Sequence, residues 1–186
     1  MNNNLSLRPV AGSIAAQAAS SNKPLAETFI NADVIVIVDT SGSMGQTDGT
    51  ERTRYERACA ELEKVQATMP GKICVISFSD DCLFCPSGVP WDYQRGTDLV
   101  KALNFAKVAD VPEMRFIVIS DGEPDDEQAA LDTARKYKNH IDTIYIGSKN
   151  GSGQDFLARL ASVSCGISAK DFSAHQLSST VYGLLA

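Results

Sequence analysis

The chain has 186 residues, of which 44% are hydrophobic and 22% charged, and a formal net charge of −6. That is enough chain for one domain burying roughly 70% of its unfolded surface, with the composition of an ordinary soluble globular protein. The acidic balance excludes nucleic acid as the main partner, since phosphate binding needs a basic face, and no apolar run approaches the ~18 residues of a membrane helix.

Residues 1–30 differ in composition from the rest. Asn2, Asn3 and Asn4, the Ala/Ser-rich stretch 11–21 and Lys23-Pro24 show weak periodicity, which predicts a flexible N-terminal arm with a short helix near Leu25–Phe29. No basic region followed by an apolar core opens the chain, so a secretory signal is not expected and the default location is cytoplasmic. The domain proper is expected over 31–186.

Val34 to Val38 is an unbroken apolar run, followed at once by Asp39, Ser41 and Ser43. Such a run suits a strand buried on both faces, as in the middle of a parallel sheet. The polar residues then fall where the strand ends, which is the edge where open α/β sheets bind ligands. One carboxylate and two hydroxyls offer only oxygen, which suits a hard cation such as Mg²⁺ better than zinc. Gly42 and Gly45 let the loop bend so that these oxygens converge. The plainer reading is a turn capped by the serines, with Asp39 bonded to local backbone.

Gln46 to Arg52 reads as a surface loop. Thr53-Arg-Tyr-Glu56 is a capping box that starts a helix at Thr53, with Tyr55, Ala58, Cys59, Leu62, Val65 and Met69 at helical spacing and Pro70-Gly71 as the stop. Ile73–Phe78 is a second buried strand. Asp80-Asp81 turns the chain into Cys82–Cys85, an antiparallel edge strand. Cys82 and Cys85 form a C-x-x-C, but residues three apart in a strand point to opposite faces, and no second ligand pair for zinc is present. Five cysteines without a framework spacing suit reduced thiols. The loop Pro86–Gly96 carries Trp91 and Tyr93, expected to cover the core beside it.

Thr97 opens the next helix, with Leu99, Val100, Leu103 and Ala106 inward; its hydroxyl serves either an ion or the helix as N-cap. Arg115–Ser120 is a further buried strand, ended by Asp121-Gly122. Asp125-Asp-Glu-Gln128 caps a helix with Ala130, Leu131, Ala134 and Tyr137 on its apolar face. Glu123, Asp125 and Asp126 read as solvated charges favourable to that helix's dipole. Ile141–Ile146 is another strand. The loop Gly147–Gly153 is glycine-rich but is not a phosphate-binding loop, since no G-x-x-x-x-G-K-[ST] pattern occurs in the chain. Gln154–Val163 is a helix with Phe156, Leu157, Leu160 and Ala161 inward, Ile167–Lys170 a last edge strand, and Leu177, Val181, Leu184 and Leu185 mark a terminal helix. Alternating strands and helices imply a doubly wound, mostly parallel α/β sheet with right-handed crossovers and helices on both faces.

Three blocks now stand in order: Asp39-x-Ser41-x-Ser43 after a buried strand, Thr97 before a helix, and Asp121 after a later strand. Together they resemble the metal-ion-dependent adhesion site of von Willebrand factor A domains, and the likeness covers roughly Asn31 to the C-terminus, in the manner of small stand-alone bacterial or phage members. The resemblance implies a Rossmann-like six-stranded sheet in the order 3-2-1-4-5-6, with strand 3 the antiparallel edge. It implies that Ser41 and Ser43 bind Mg²⁺ or Mn²⁺ directly, that Thr97 and Asp121 trade direct and water-mediated roles, and that Asp39 acts largely through water or hydrogen bonds. The protein so implied is a binder: a partner's Asp or Glu carboxylate completes the ion's shell, and no enzyme activity is expected. Family members of this kind often work beside AAA+ ATPases.

A different chemistry is set against this one. Ser41-Gly-Ser43-Met-Gly45 is close to the G-x-S-x-G nucleophile elbow, and Ser43, Asp121 and His175 follow the chain order of an α/β-hydrolase triad. Ser41 stands where that elbow requires glycine, and the hydrolase reading leaves Asp39 and Thr97 without a role. A phosphatase with paired aspartates would want D-x-D, and Ser41 occupies the second position. His140 and His175 are expected as surface or packing residues.

Overall fold

The computed structural model describes residues 8–49, 51–91, 96–148, 151–171 and Gly183. Tyr93, the terminal helix expected around Leu177–Leu185 and His175 lie outside the described residues.

Six strands, β1 (Val34–Asp39), β2 (Ile73–Phe78), β3 (Cys82–Phe84), β4 (Arg115–Ser120), β5 (Ile141–Ile146) and β6 (Ser168–Asp171), form one sheet in the order β3-β2-β1-β4-β5-β6. All neighbours are parallel except β2 and β3, which pair antiparallel. This is the doubly wound order expected above. The last strand begins one residue later than expected, at Ser168, and Ile167 is exposed.

β1 lies in the middle, with Val36 beside Val75 on one side and Ile117 on the other. Its side chains alternate between two cores, as a period of two requires. Ile35 and Ile37 pack with Leu99 and Leu103 of α4 (Leu99–Ala106), Leu131 of α5 (Glu127–Ala134) and Leu157 of α6 (Gly153–Val163). Val34, Val36 and Val38 pack with Ala58, Leu62 and Val65 of α3 (Arg54–Thr68). The α3 boundary is set by its capping box: the Thr53 hydroxyl accepts from the Glu56 N–H, and the Glu56 carboxylate accepts from the Thr53 N–H.

Residues 8–30, read from composition as a flexible arm, carry two helices, α1 (Ile14–Ser21) and α2 (Leu25–Phe29). The Ser13 hydroxyl caps α1, and Ile14 and Ala18 are buried against the domain. The chain is tied down before and within α1: Val10 N–H donates to Ser87 O at 3.0 Å and Ala15 N–H to Pro86 O at 2.9 Å. Gly12 turns at φ 79°, where a Cβ would stand 1.8 Å from Gln66 O, so only glycine lets the segment lie this close to α3. Few apolar residues are enough here because alanine loses no side-chain entropy on forming a helix. α2 matches the short helix expected, and its Phe29 meets Phe84 edge-on at 5.5 Å.

Two helix starts and one aromatic differ from expectation. Asp98, not Thr97, caps α4 by accepting from Lys101 N–H, and Asp126, not Asp125, caps α5 by accepting from Ala129 N–H. Each is the second polar residue of a pair, and the first is drawn elsewhere by a partner distant in sequence. Trp91 is 37% exposed, so its ring is covered over only part of its surface. Cys82 and Cys85 do point to opposite faces, each packed on a different core.

Candidate metal centre

The register places the site. Val38 pairs with Ile119, so Asp39 ends β1 beside Ser120, and Asp121 follows as β4 ends. Asp39 is wholly buried. Its Oδ1 accepts from Ser41 N–H at 2.8 Å and its Oδ2 from the Ser120 hydroxyl at 2.6 Å. Ser120 Oγ in turn accepts from Gly122 N–H at 2.9 Å. Burial, then the charge of Asp121, pushes the Asp39 carboxyl up to about 6, against the pull of the Ser120 and Ser41 hydrogen bonds.

After Asp39 the chain enters a 3₁₀ turn, Gly42–Gly45, anchored by Met44, whose side chain is buried on the α3 side of the sheet. The turn brings Ser41 Oγ and Ser43 Oγ to 3.1 Å. Gly122, at φ 79°, turns the chain after Asp121; a Cβ there would stand 2.1 Å from Gly153 O. Asp121 is 4% exposed. Its Oδ2 accepts from Arg54 Nη1–H at 2.8 Å, while its Oδ1 is buried and has no hydrogen-bond partner. Burial raises the Asp121 carboxyl above its ordinary value, partly offset by the Ser43 hydroxyl and the Arg54 guanidinium.

Thr97 is buried and held by its backbone. Its N–H donates to Asp125 Oδ2 at 3.1 Å, and its carbonyl accepts from Asp125 N–H at 3.1 Å. The next residue, Asp98, donates its N–H to Ser79 O at 2.7 Å and takes over the capping of α4. The Thr97 hydroxyl is thereby released from the helix-capping role.

All five expected residues therefore lie at the carboxyl edge of the sheet, Asp39 as the last residue of β1, Ser41, Ser43 and Asp121 on the loops that follow β1 and β4, and Thr97 just before α4. Three further residues belong to the same constellation and were not singled out from sequence, Ser120, Arg54 and Asp48, and Asp125, read from sequence as a solvated charge, is bonded to the Thr97 backbone. Ser120 sits in the quoted Ile-Val-Ile-Ser-Asp run, and Arg54 is the second residue of the capping box. Both were assigned to secondary structure, and neither carries a spacing signal for a site.

The donor set is two carboxylates and three hydroxyls. It holds no His or Cys, the ligands from which zinc sites are mostly built. An oxygen-only set of low charge fits a hard divalent cation. The unpartnered Asp121 Oδ1 fits too: a buried acceptor without a partner costs about 1–3 kcal/mol, which a bound cation would relieve. A cation there would also favour the ionised form of Asp39, whose burial opposes it.

The hydrolase constellation fits less well. The carboxylate that would orient a histidine, Asp121, is engaged by Arg54. His140 stands at the other edge of the sheet, its Nδ1 3.1 Å from Ser164 O.

No protein-family model and no curated protein matches the chain by sequence. Solved structures match it in shape. An aerotolerance-related membrane protein from Bacteroides fragilis superposes with a TM-score of 0.64 at 16% identity, over 82% of this chain and 97% of that one. BatB from Bacteroides thetaiotaomicron gives 0.62 at 17% identity, over 82% and 96%. The ArnB paralog VWA2 from Sulfolobus acidocaldarius gives 0.59 at 22% identity, over 81% of this chain and 44% of that one.

The chain has a von Willebrand factor type A fold. Strand order, the single antiparallel edge strand and the helices on both faces all agree with it. In this A-type fold the candidate centre occupies the carboxyl end of the central strand, the position expected of a ligand site in any doubly wound sheet. No helix among the described residues is long and apolar enough to cross a membrane.

Proposed function

We propose that this A-type domain is a divalent-cation-dependent protein-binding module and not an enzyme. Asp39, Ser41, Ser43, Thr97 and Asp121 would hold Mg²⁺ or Mn²⁺. The observation that carries the reading is the buried, unpartnered Asp121 Oδ1 beside the paired Ser41 and Ser43 hydroxyls. When bound, the ion supplies a Lewis-acidic position whose charge the hydroxyls do not cancel. The chain's residues do the rest: Ser120 and the Ser41 N–H orient Asp39, and the Asp125 carboxylate fixes the backbone at Thr97.

The partner's contribution is an Asp or Glu carboxylate, with residues 45–49 and 122–126 as the rim. An AAA+ ATPase system in the cytoplasm of a bacterium is the setting we propose for it. A central carboxylate contact should behave as a hot spot, worth about 2 kcal/mol or more on truncation.

The test has two parts. Mg²⁺ or Mn²⁺ should raise the melting temperature of the wild type, because an ion bound only by the native state opposes unfolding. The rise should vanish in Asp39→Ala; an equal rise in both proteins defeats the site assignment. Affinity capture from the native cell in Mg²⁺ and in chelator, with wild type and Thr97→Ala, then tests the partner. Capture independent of both the ion and Thr97 means that partners dock elsewhere. Saturable hydrolysis of activated esters that disappears in Ser43→Ala would replace this reading with the hydrolase.

A further inference from the structure

A second positive group already stands at the proposed centre. Arg54 is the first residue of α3, and its side chain is only 8% exposed. Nη1 donates to Asp121 Oδ2 at 2.8 Å and to the Ser43 carbonyl at 3.3 Å. Nε and Nη2 donate to the two oxygens of Asp48 at 2.7 and 2.6 Å, the forked pairing for which a guanidinium is shaped. One side chain thus joins the serine turn, the Asp121 loop and the loop before α3.

We infer that Arg54 is an internal cation that weakens divalent-ion binding at Asp121 and couples the ion's occupancy to the loop bearing Asp48. This rests on the metal reading given above. Two physical facts carry it. A divalent ion on the free Oδ1 of Asp121 would share one carboxylate with a guanidinium, and like charges in a site screened from water repel strongly. Arg54 also has nowhere neutral to go, because its other arm is locked to Asp48. Displacement from Asp121 must therefore pull on Asp48.

The Asp48 loop is built to register such a pull. Asp48 lies in the left-handed region at φ 47°, and Gly49 follows at φ 79°. The backbone of this turn faces solvent, while the Asp48 side chain turns inward to Arg54 and to Arg57 Nη2, 2.9 Å away. The guanidinium hydrogen bonds hold the Asp48 carboxyl below its ordinary range, so the clamp is ionic at neutral pH. The loop forms part of the proposed rim, and so the state of the ion would be felt where a partner lands.

The charge and the scaffold roles of Arg54 are separable. Arg54→Met removes the charge and keeps much of the aliphatic bulk, and Arg57 remains to pair Asp48. Arg54→Lys keeps the charge. Both are first melted in chelator to confirm folding, and Mg²⁺ binding is then titrated by calorimetry. Arg54→Met should bind Mg²⁺ at least about fivefold more tightly than wild type, and Arg54→Lys within about twofold of it. Equal or weaker binding by a folded Arg54→Met overturns the inference and leaves the metal reading intact. A wild type that binds neither Mg²⁺ nor Mn²⁺ overturns both. If Arg54→Met does not fold, ¹⁵N NMR of the wild type decides. The Arg54 Nε–H and the amides of residues 46–49 should shift together on adding Mg²⁺, and an unmoved Arg54 Nε–H at saturation overturns the inference.

Discussion

At the carboxyl edge of the sheet, Asp39 and Asp121 are buried, the pKa of each is raised, and one carboxylate oxygen has no partner. The amino edge is arranged otherwise. There the Asp33–Lys72 pair spans 2.9 Å with both side chains about half exposed. The Asp110 carboxylate accepts from Lys138 N–H at 2.7 Å and Asn139 N–H at 3.1 Å. Toward the same edge, between α2 and α4, lies an apolar cavity of about 470 Å³, floored by Ile35, Cys74 and Ile76 and rimmed by Leu25, Phe105 and Val108. One edge holds buried carboxylates under electrostatic cost; at the other the carboxylates named are paired or hydrogen-bonded, and a buried acceptor left without a partner toward that end, Gln66 Oε1 near the end of α3, is a neutral amide oxygen. Cost of the first kind is what a ligand can relieve, and it marks the end where function is to be sought.

The sharpest way to break this contrast is Asp39→Asn, measured by denaturant unfolding in chelator. The wild-type carboxyl titrates near 6 when folded, against 3.8 as the ordinary value. A raised folded value favours the protonated form, so the stability it contributes is fully present below pH 3.8 and is lost as pH rises through about 6. At pH 7 the ionised group therefore costs on the order of 3 kcal/mol. Asp39→Asn should be more stable than wild type by up to that amount at pH 7, the difference should close near pH 4, and the response to Mg²⁺ should be gone. A variant no more stable than wild type at pH 7 would mean that Asp39 carries no electrostatic cost.

At the other edge, Phe29→Ala removes a ring that lines the cavity and meets Phe84. Phe29 is half-buried, so the loss should be about 2 kcal/mol, below the range for a fully buried ring. The ion-induced rise in melting temperature should be unchanged. A diminished rise would show that the two edges are coupled and that the contrast is too simple.

The smallest effect tests whether the cavity is merely unfilled. Ala109→Leu places a larger side chain on its wall and should gain about 0.5–1 kcal/mol. A loss instead would mean that the wall cannot accept the extra volume without strain. Either way the Mg²⁺ response should stay as in wild type.

Much of this molecule was legible before any coordinates. The apolar runs Val34–Val38 and Ile141–Ile146 mark strands buried on both faces, and β1 and β5 are found there. The box Thr53-Arg-Tyr-Glu56 sets the start of α3 to the residue. The D-x-S-x-S run and Asp121 lie at the carboxyl edge, as apolar runs ending in polar residues require. α1 was harder to read, because an Ala/Ser-rich helix with Ile14 and Ala18 as its buried residues has little amphipathic contrast.

Helix capping was ambiguous for a related reason. Thr97-Asp98 and Asp125-Asp126 each offer two capping residues, and local rules do not choose between them. The choice is made across the fold: Asp125 bonds the Thr97 N–H, so that Asp98 and Asp126 are left to cap. Strand order likewise came only through the family resemblance, because an apolar run marks a strand as interior but not which strands it lies between.

What the sequence determined by itself is therefore local: strands, helix starts, turn chemistry and the oxygen-only character of the candidate centre, all of which depend on neighbours within a few residues. What only the tertiary structure decided is how the charges are balanced. Ser120 reaches Asp39 across 81 residues of sequence, and Arg54 reaches Asp121 across 67. Such pairings depend on which loops the sheet brings together and on how far water is excluded there, and no spacing along the chain encodes either.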